Sequence, residues 1–567
     1  VGKYLKANSE NLFAVRVRHF VNPSKLNHAP SDPHTGWFAG RMSLHLTATD
    51  YIDDLFVHTS NVTDWLDNGN PVKVRIQATV KNEWKKSRFD GSLGIRLYEW
   101  FPEELETPSG EAEFPVDIRE WGSRNIEGEI EVPEPKLWTW HSPRLYRVEA
   151  VLKDADGQPV DDFTVTTGLR TVGQEGGRFR INGEPEMLNG AQLFGFRGPL
   201  DKIAAWARCA PTEWLVREIA MVRKMGGNAI RTHFHAWAHI PPSRGINDPR
   251  LPEIADQLGL MFIWATTSWI RSGTPWGMDL EGLPKYVRQV RNHPSIAVWE
   301  GCNHPQVGQE YERGREEWNE FYEIVHDSIY PLDPSRLITP LGWNVRPGIL
   351  PAHSRPGMTM GDFHSPTGGG GDWTQLRNLR EAIRPRLTRK NGAYFNFEHH
   401  PGIAQPNWSL VKGKPWYKLH SYEHHYDETS IGRKLTTEEW RESQGYQALA
   451  AWEAMKVQRM LGIDGFSWCS LHEGPNTVTY KKPLIDYQGH AKLAFYINRT
   501  IFQPVVAGSA DVDMVYGPDD AINPVIMHLG PELIVELQIK VKNLDGKKVD
   551  QQEYQRIKLP AGRGIVP

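Results

Sequence analysis

Three short stretches hold side chains of the types that move protons and attack electrophiles. In "SIAVWEGCNHP" the apolar run from Ser295 to Val298 breaks into Trp299, Glu300, Gly301, Cys302, Asn303 and His304. In "AYFNFEHH" a second apolar run ends on Glu398, His399 and His400, and in "GNAIRTHFH" a third ends on Arg231, His233 and His235. Carboxylates and imidazoles give and take protons near neutral pH, and a carboxylate can also act as a nucleophile. An arginine beside a carboxylate favours its ionised form. Amide and indole groups add directed hydrogen bonds and flat apolar faces. That mixture suits a polyhydroxylated substrate better than a phosphate or a nucleotide. A metal-binding alternative rests on His233, His235, His364, Glu398, His399 and His400, since two histidines and a carboxylate form an adequate ligand set. His-x-His and His-His pairs often occur without metal, so no metal or cofactor is expected.

Other chemistries find no support. The glycine run Gly368 to Gly371 lacks the lysine and hydroxyl residue of a phosphate-binding loop, and no Gly-x-Ser-x-Gly elbow is present. Cys209, Cys302 and Cys469 are far apart and form no disulfide or metal pattern. The net charge of -4 over 567 residues gives no footprint for nucleic acid or an anionic membrane, and no apolar run is long enough to span a bilayer. The 22 tryptophans are many, and suit both large cores and the apolar faces of sugar rings. The chain begins at Val1 without methionine, which reads as a processed or truncated start and leaves the compartment open.

These residues need elements to position them. Alternation in "PVKVRIQATV" (Val72, Val74, Ile76, Ala78) and "LYRVEAVL" (Tyr146, Val148, Ala150, Leu152) marks half-buried strands, with turns at Asp156-Gly157 and Asn182-Gly183. Such strands from about Gly40 to Gly168 predict a small antiparallel sandwich. From about Arg178 strands alternate with helical segments. "PTEWLVREIAMVRKMG", "LPEIADQLG", "GLPKYVRQVRNH" and "RESQGYQALAAWEAMKVQRMLG" read as helices. Counting from "RFRINGEPEMLNG" to "IDGFSWCS" gives eight strand candidates, as a closed (β/α)8 barrel requires. Active sites of such barrels lie at the carboxyl ends of the strands, where the three chemical stretches fall. Beyond Pro504 alternation returns with an Asp-Gly turn, predicting a further sandwich.

The chain resembles glycoside hydrolase family 2, the group of β-galactosidases, β-glucuronidases and β-mannosidases. The resemblance is carried by "LWTWHSPRLYRVEA", "TGLRTV", "FRINGEPEMLNGA", "GGNAIRTH", "DPRLPEIADQLGLMFIW", "VRNHPSIAVWEGCNH", "FNFEHH" and "GIDGFSWCS", in the family's order from about Asn11 to Pro504. It implies four regions. Residues 1–38 would end an amino-terminal jelly-roll domain, 39–172 form an immunoglobulin-like sandwich, 173–504 a TIM-barrel catalytic domain, and 505–567 part of a second sandwich. It also implies retaining cleavage of a β-linked oligo- or polysaccharide, and a periplasmic or secreted location. Oligomerisation is left open, and no nucleic-acid or membrane partner is expected.

Residue by residue, the resemblance gives Glu398 as nucleophile, with Glu423 in a second Glu-His-His as a rival outside any expected strand. Arg231 matches the arginine that keeps the nucleophile ionised, Asn303 the amide on the sugar 2-hydroxyl, and Trp468 the aromatic floor. His364 falls where a tyrosine often contacts the nucleophile. Where the family has its acid/base glutamate, this chain has His304. An imidazole can exchange protons near neutral pH, although an imidazolium opposes the positive charge of an oxocarbenium-like transition state. Three readings therefore stand. His304 is the acid/base; or Glu300, His233, His235 or His399 supplies the proton; or the site binds a sugar without turning it over. The second strand reads His233-Phe234-His235 in place of the usual Ser-His-Tyr-Pro, so the family's substrate preferences do not carry over.

Overall fold

The computed structural model describes residues 45–193, 210–232, 248–265, 283–300, 326–339, 360–362, 393–399, 436–472, 483–486, 489–511 and 516–566, together with residues 6, 9–12 and 324. The region expected to end a jelly roll lies almost wholly outside them. The first domain has seven strands: β1 (Asp50–Thr59), β2 (Val72–Asn82), β3 (Phe89–Phe101), β4 (Gly110–Ile118), β5 (Gly122–Val132), β6 (Leu145–Asp154) and β7 (Pro159–Thr167). A short helix, α1 (Val62–Asn68), joins β1 to β2. The strands form two antiparallel sheets, ordered β1-β2-β5 and β4-β3-β6-β7. Alternation explains the pairing, because Val72, Val74, Ile76 and Ala78 of β2 and Tyr146, Val148, Ala150 and Leu152 of β6 fill one shared core. The turn expected at Asp156-Gly157 joins β6 to β7, with Gly157 in the left-handed region at φ 77°.

A small sheet of β8 (Val172–Glu175), β9 (Arg178–Ile181) and β10 (Glu184–Pro185) follows. The sequence "RFRINGEP" is thus a hairpin of its own and not the start of the first barrel strand. Asn182 (φ 52°) and Gly183 (φ 81°) both take the positive φ that a tight two-residue turn needs.

Eight parallel strands come next: β11 (Leu188–Leu193), β12 (Ala229–Thr232), β13 (Met261–Ala265), β14 (Ile296–Glu300), β15 (Leu337–Thr339), β16 (Met360–Asp362), β17 (Ala393–His399) and β18 (Gly465–Trp468). They are hydrogen-bonded in the order β15-β14-β13-β12-β11-β18-β17-β16. Consecutive strands from β11 to β15 and from β16 to β18 are neighbours and the first pairs with the last, the order of a singly wound α/β barrel, with β15 and β16 at the two ends of the described pairing. The described helices around it are α2 (Thr212–Lys224), α3 (Arg250–Leu258), α4 (Leu283–Val290), α5 (Thr437–Met460) and α6 (Leu493–Ile501). A capping box starts α5: Glu439 N–H donates to Thr436 Oγ1 at 3.2 Å, and Thr436 N–H to Glu439 Oε2 at 2.8 Å. Gly259 ends α3 at φ 65°, where a Cβ would come within 2.2 Å of the Trp140 carbonyl oxygen.

The strand residues divide by parity between two cores except on β14, where a register shift at Ala297 sends Ala297 and Val298 to one core and Ile296 and Trp299 to the other. Ala191, Ile230, Phe262, Trp264, Ile296, Trp299, Ile338, Tyr394, Phe466 and Trp468 pack with side chains from the helices. Leu188, Ala229, Met261, Ile263, Leu337, Ala393 and Phe395 pack with one another and with Phe179 and Ile181 of the hairpin. The second set is the barrel interior, plugged by β9.

The sandwich is bonded to the barrel around the start of β14. Asn292 donates to the Leu55 carbonyl at 2.8 Å and accepts from Val57 N–H at 2.9 Å. Arg291 pairs with Asp54, and Arg170 Nε donates to the Pro294 carbonyl at 2.8 Å. Beyond the barrel, β19 (Val505–Ser509), β20 (Pro524–Gly530) and β23 (Gly562–Val566) form one sheet, and β21 (Leu533–Lys542) and β22 (Lys548–Leu559) form a hairpin. Its Asp545-Gly546 turn puts Gly546 at φ 80°. Among the described residues no helix is long and apolar enough to cross a membrane.

Candidate active site

Parity that buries apolar residues low in the barrel turns polar residues inward at the carboxyl ends of its strands. Gln192, Arg231, Glu300, Thr339 and Ser467 each neighbour a residue of the helix-facing core, and all are buried. Backbone register sets them side by side: Gln192 lies across from Arg231, and Glu300 from Thr339. The hydroxyls of Thr339 and Ser467 are buried with no hydrogen-bond partner among the described residues, so the interior layer keeps polar capacity there.

The Arg231 guanidinium and the Glu300 carboxylate form a two-pronged ion pair. Nε donates to Oε2 at 2.7 Å and Nη2 to Oε1 at 2.5 Å, and both side chains are 0% exposed. The fork spans β13, which lies between the two strands. Arg231 therefore reaches the interior, where Glu300 is a carboxylate partner of its guanidinium. Both oxygens of Glu300 accept from the fork, an arrangement that favours the carboxylate over the acid. That geometry counts against Glu300 as the proton donor.

β14 is held from below. Asp256 of α3 accepts from Ser295 N–H at 2.9 Å and lies 2.6 Å from His293 Nδ1. Trp299 Nε1 donates to Asp333 at 2.7 Å, and Asp333 pairs with Arg336, whose Nε donates to the Ile296 carbonyl at 2.7 Å.

On β17 the backbone puts Glu398 one residue before the strand's end. Asn396 pairs with Phe466 and His399 with Trp468, three steps on β17 against two on β18, so a bulge includes Phe397 and Glu398. His399, one of the candidate site residues, is buried among the residues that face the helices. Its ring lies 5.3 Å from both Phe466 and Trp468, and its Nδ1 is 3.1 Å from Asn396 Nδ2. Asn396 also donates to Gln458 of α5 at 2.9 Å. Burial pushes the His399 imidazole down to about 3, so it is neutral at pH 7. A buried, neutral imidazole facing the helices is placed neither to pass a proton to substrate nor to complete a metal site at the mouth. Trp468 lies on the same side of the sheet. It is 1% exposed, on the same face as Phe466 and in the helix-facing core, because Ser467 takes the inward position between them.

Among the sequence candidates, the structure brings Arg231 and Glu300 together and puts Glu398 at the carboxyl end of a barrel strand. His233, His235, Asn303, His304, His364, His400 and Glu423 lie outside the described residues. Thr339 and Ser467 escaped the sequence reading, although strand parity alone singles them out.

A polar layer at the carboxyl ends of eight parallel strands, joined to an antiparallel sandwich, defines a barrel-enzyme architecture. Residues 51–170 match the family model of glycosyl hydrolases family 2. The chain is similar to a β-galactosidase of Photobacterium profundum, 25% identical over 408 residues that cover 68% of this chain and 35% of that protein. It is also similar to a putative β-glucuronidase of Formosa agariphila, 27% identical over 212 residues, covering 36% and 24%. Among solved structures it resembles a β-D-mannosidase from Dictyoglomus thermophilum, with a TM-score of 0.62, 17% identity, and coverage of 91% of this chain and 62% of that one. A β-galacturonidase from Eisenbergiella tayi bound to galacturonate gives a TM-score of 0.54 and 17% identity, covering 80% and 73%. The structural likenesses establish the fold, a sandwich joined to a TIM barrel. The chain spans about a third or less of the length of the curated relatives it matches. Together these findings support family 2 and a glycoside hydrolase.

Proposed function

We propose that the protein cleaves a β-linked sugar from an oligo- or polysaccharide with retention of configuration, using Glu398 as nucleophile. The observation that carries this reading is Glu398 at the carboxyl end of β17, in the same barrel whose buried Arg231–Glu300 pair lies at the ends of β12 and β14. In the first step a Glu398 carboxylate oxygen bonds to the anomeric carbon as the bond to the leaving oxygen breaks. His304, as imidazolium, gives its proton to that oxygen, and Asn303 hydrogen-bonds the sugar 2-hydroxyl. In the second step neutral His304 takes a proton from water, the water oxygen bonds to the anomeric carbon, and the glutamate leaves. Burial of His399 and engagement of Glu300 shorten the set of alternative proton donors to His304, His233 and His235.

Aryl β-glycosides of several sugars, with good and poor leaving groups, test the reading. Glu398→Gln is expected to lose turnover on all of them, whereas His304→Ala is expected to lose it mainly where the leaving group is poor. Full activity of Glu398→Gln would rule out the mechanism. The histidine at the acid/base position specifically favours a second reading, a carbohydrate-binding protein on the same scaffold. That reading predicts saturable oligosaccharide binding with no turnover of any substrate.

A further inference from the structure

We infer that Glu300 is a positioning residue that acts through Arg231, fixing the guanidinium and tying the end of β12 to the end of β14. The inference rests on the reading of Glu398 as nucleophile. Two parallel N–H···O contacts hold the plane of a guanidinium as well as its position, which a single contact does not. The contacts run from the second barrel strand to the fourth across β13, so they link strands that are not hydrogen-bonded neighbours. Glu300 is the last residue of β14, and the chain then runs directly to Asn303 and His304. Arg231 is the penultimate residue of β12, and the chain runs from it to His233 and His235. One buried ion pair therefore sets the spacing of two strand ends from which four of the candidate site residues depart.

β14 cannot easily compensate if the pair is lost. Its backbone is already held at Ser295 and Ile296 and its Trp299 ring at Asp333, so a change at Glu300 falls first on the Arg231 guanidinium. Glu300→Gln would replace one acceptor oxygen with an amide donor facing the guanidinium, removing both the fork and the counter-charge. Glu300→Asp would keep the charge at a shorter reach.

The test compares Glu300→Gln, Glu300→Asp and the unaltered protein on β-glycosides with a nitrophenol and with an alkyl alcohol as leaving group. Azide is added to each as a competing nucleophile. The expected result for Glu300→Gln is a fall in kcat of about 100-fold with both leaving groups, the scale of an ångström-sized misplacement, with KM little changed. Azide should not restore the rate, and Glu300→Asp should recover part of it. A loss far larger for the alkyl than for the nitrophenyl glycoside, with azide restoring turnover of the nitrophenyl substrate, would overturn the inference, because it would make Glu300 the proton donor. An unchanged kcat would overturn it too. Should Glu300→Gln fail to fold, Arg231→Lys carries the same comparison, since it keeps the charge and loses the fork. Failure of the nucleophile reading would appear separately, as full activity of Glu398→Gln.

Discussion

Moving a guanidinium and a carboxylate out of water costs several kcal/mol for each ion, and only a well-formed pair offsets it. Arg231 and Glu300 meet that condition with two contacts and no exposure. Removing Arg231 takes from the buried Glu300 carboxylate its two-pronged counter-ion, so Arg231→Met should lose about 3–5 kcal/mol of stability in urea unfolding. The double variant Arg231→Met/Glu300→Leu should regain much of that stability without regaining turnover, which would separate the pair's functional contribution from its structural one. His399 leads to a pH prediction. Its folded value of about 3 lies below the 6.5 of a free imidazole. Above pH 6.5 neither state is protonated and the shift has no effect. As pH falls from 6.5 towards 3, the unfolded chain takes up a proton that the native state refuses, and stability drops. By pH 5 that loss is about 2 kcal/mol, and His58, lowered to about 4 by burial, contributes with the same sign. Urea midpoints at pH 7 and pH 5 should show His399→Gln losing about 2 kcal/mol less over this interval than the unaltered protein. Equal losses would contradict the burial of a neutral ring.

Among the elements, β14 shows most directly how the fold prepares the site. Asp256, Asp333 and Arg336 hold its backbone and its tryptophan, while Arg231 holds its last residue. Asp256→Ala would leave Ser295 N–H without its acceptor and the His293 ring without its partner. A loss of about 2–4 kcal/mol is expected in urea unfolding, and a change below about 0.5 kcal/mol would deny Asp256 this function. Much of this level was readable from the sequence, because β2, β6, β14 and β17 announce themselves by alternation or by short apolar runs with polar ends. The hairpin at Arg178 to Pro185 was not, since two very short strands around Asn182-Gly183 look like the lead-in to the next strand. Side-chain direction at strand ends was also hidden. A bulge in β17 decides which way His399 faces, and it does not depend on residue type. The framework carboxylates escaped as well, because Asp256 and Asp333 find their partners only once distant segments have packed.

For the molecule as a whole, the sandwich is part of what positions the barrel. Arg170 from the sandwich's exit reaches the carbonyls of Pro294 and Ile296, and Asn292 bonds to the backbone of β1 in both directions. Scanning calorimetry should therefore find sandwich and barrel unfolding in one transition, and Asn292→Ala should begin to separate them. Two resolved transitions in the unaltered protein would contradict such coupling. Covalent trapping on Glu398 is the direct test of retaining cleavage. The protein is incubated with a panel of 2-deoxy-2-fluoro β-glycosyl fluorides of neutral and acidic sugars, and intact mass is then measured. One fluoroglycosyl group is expected to add, located by peptide mapping to Glu398 and absent from Glu398→Gln. Labelling at another residue, or turnover that persists in Glu398→Gln, would contradict it.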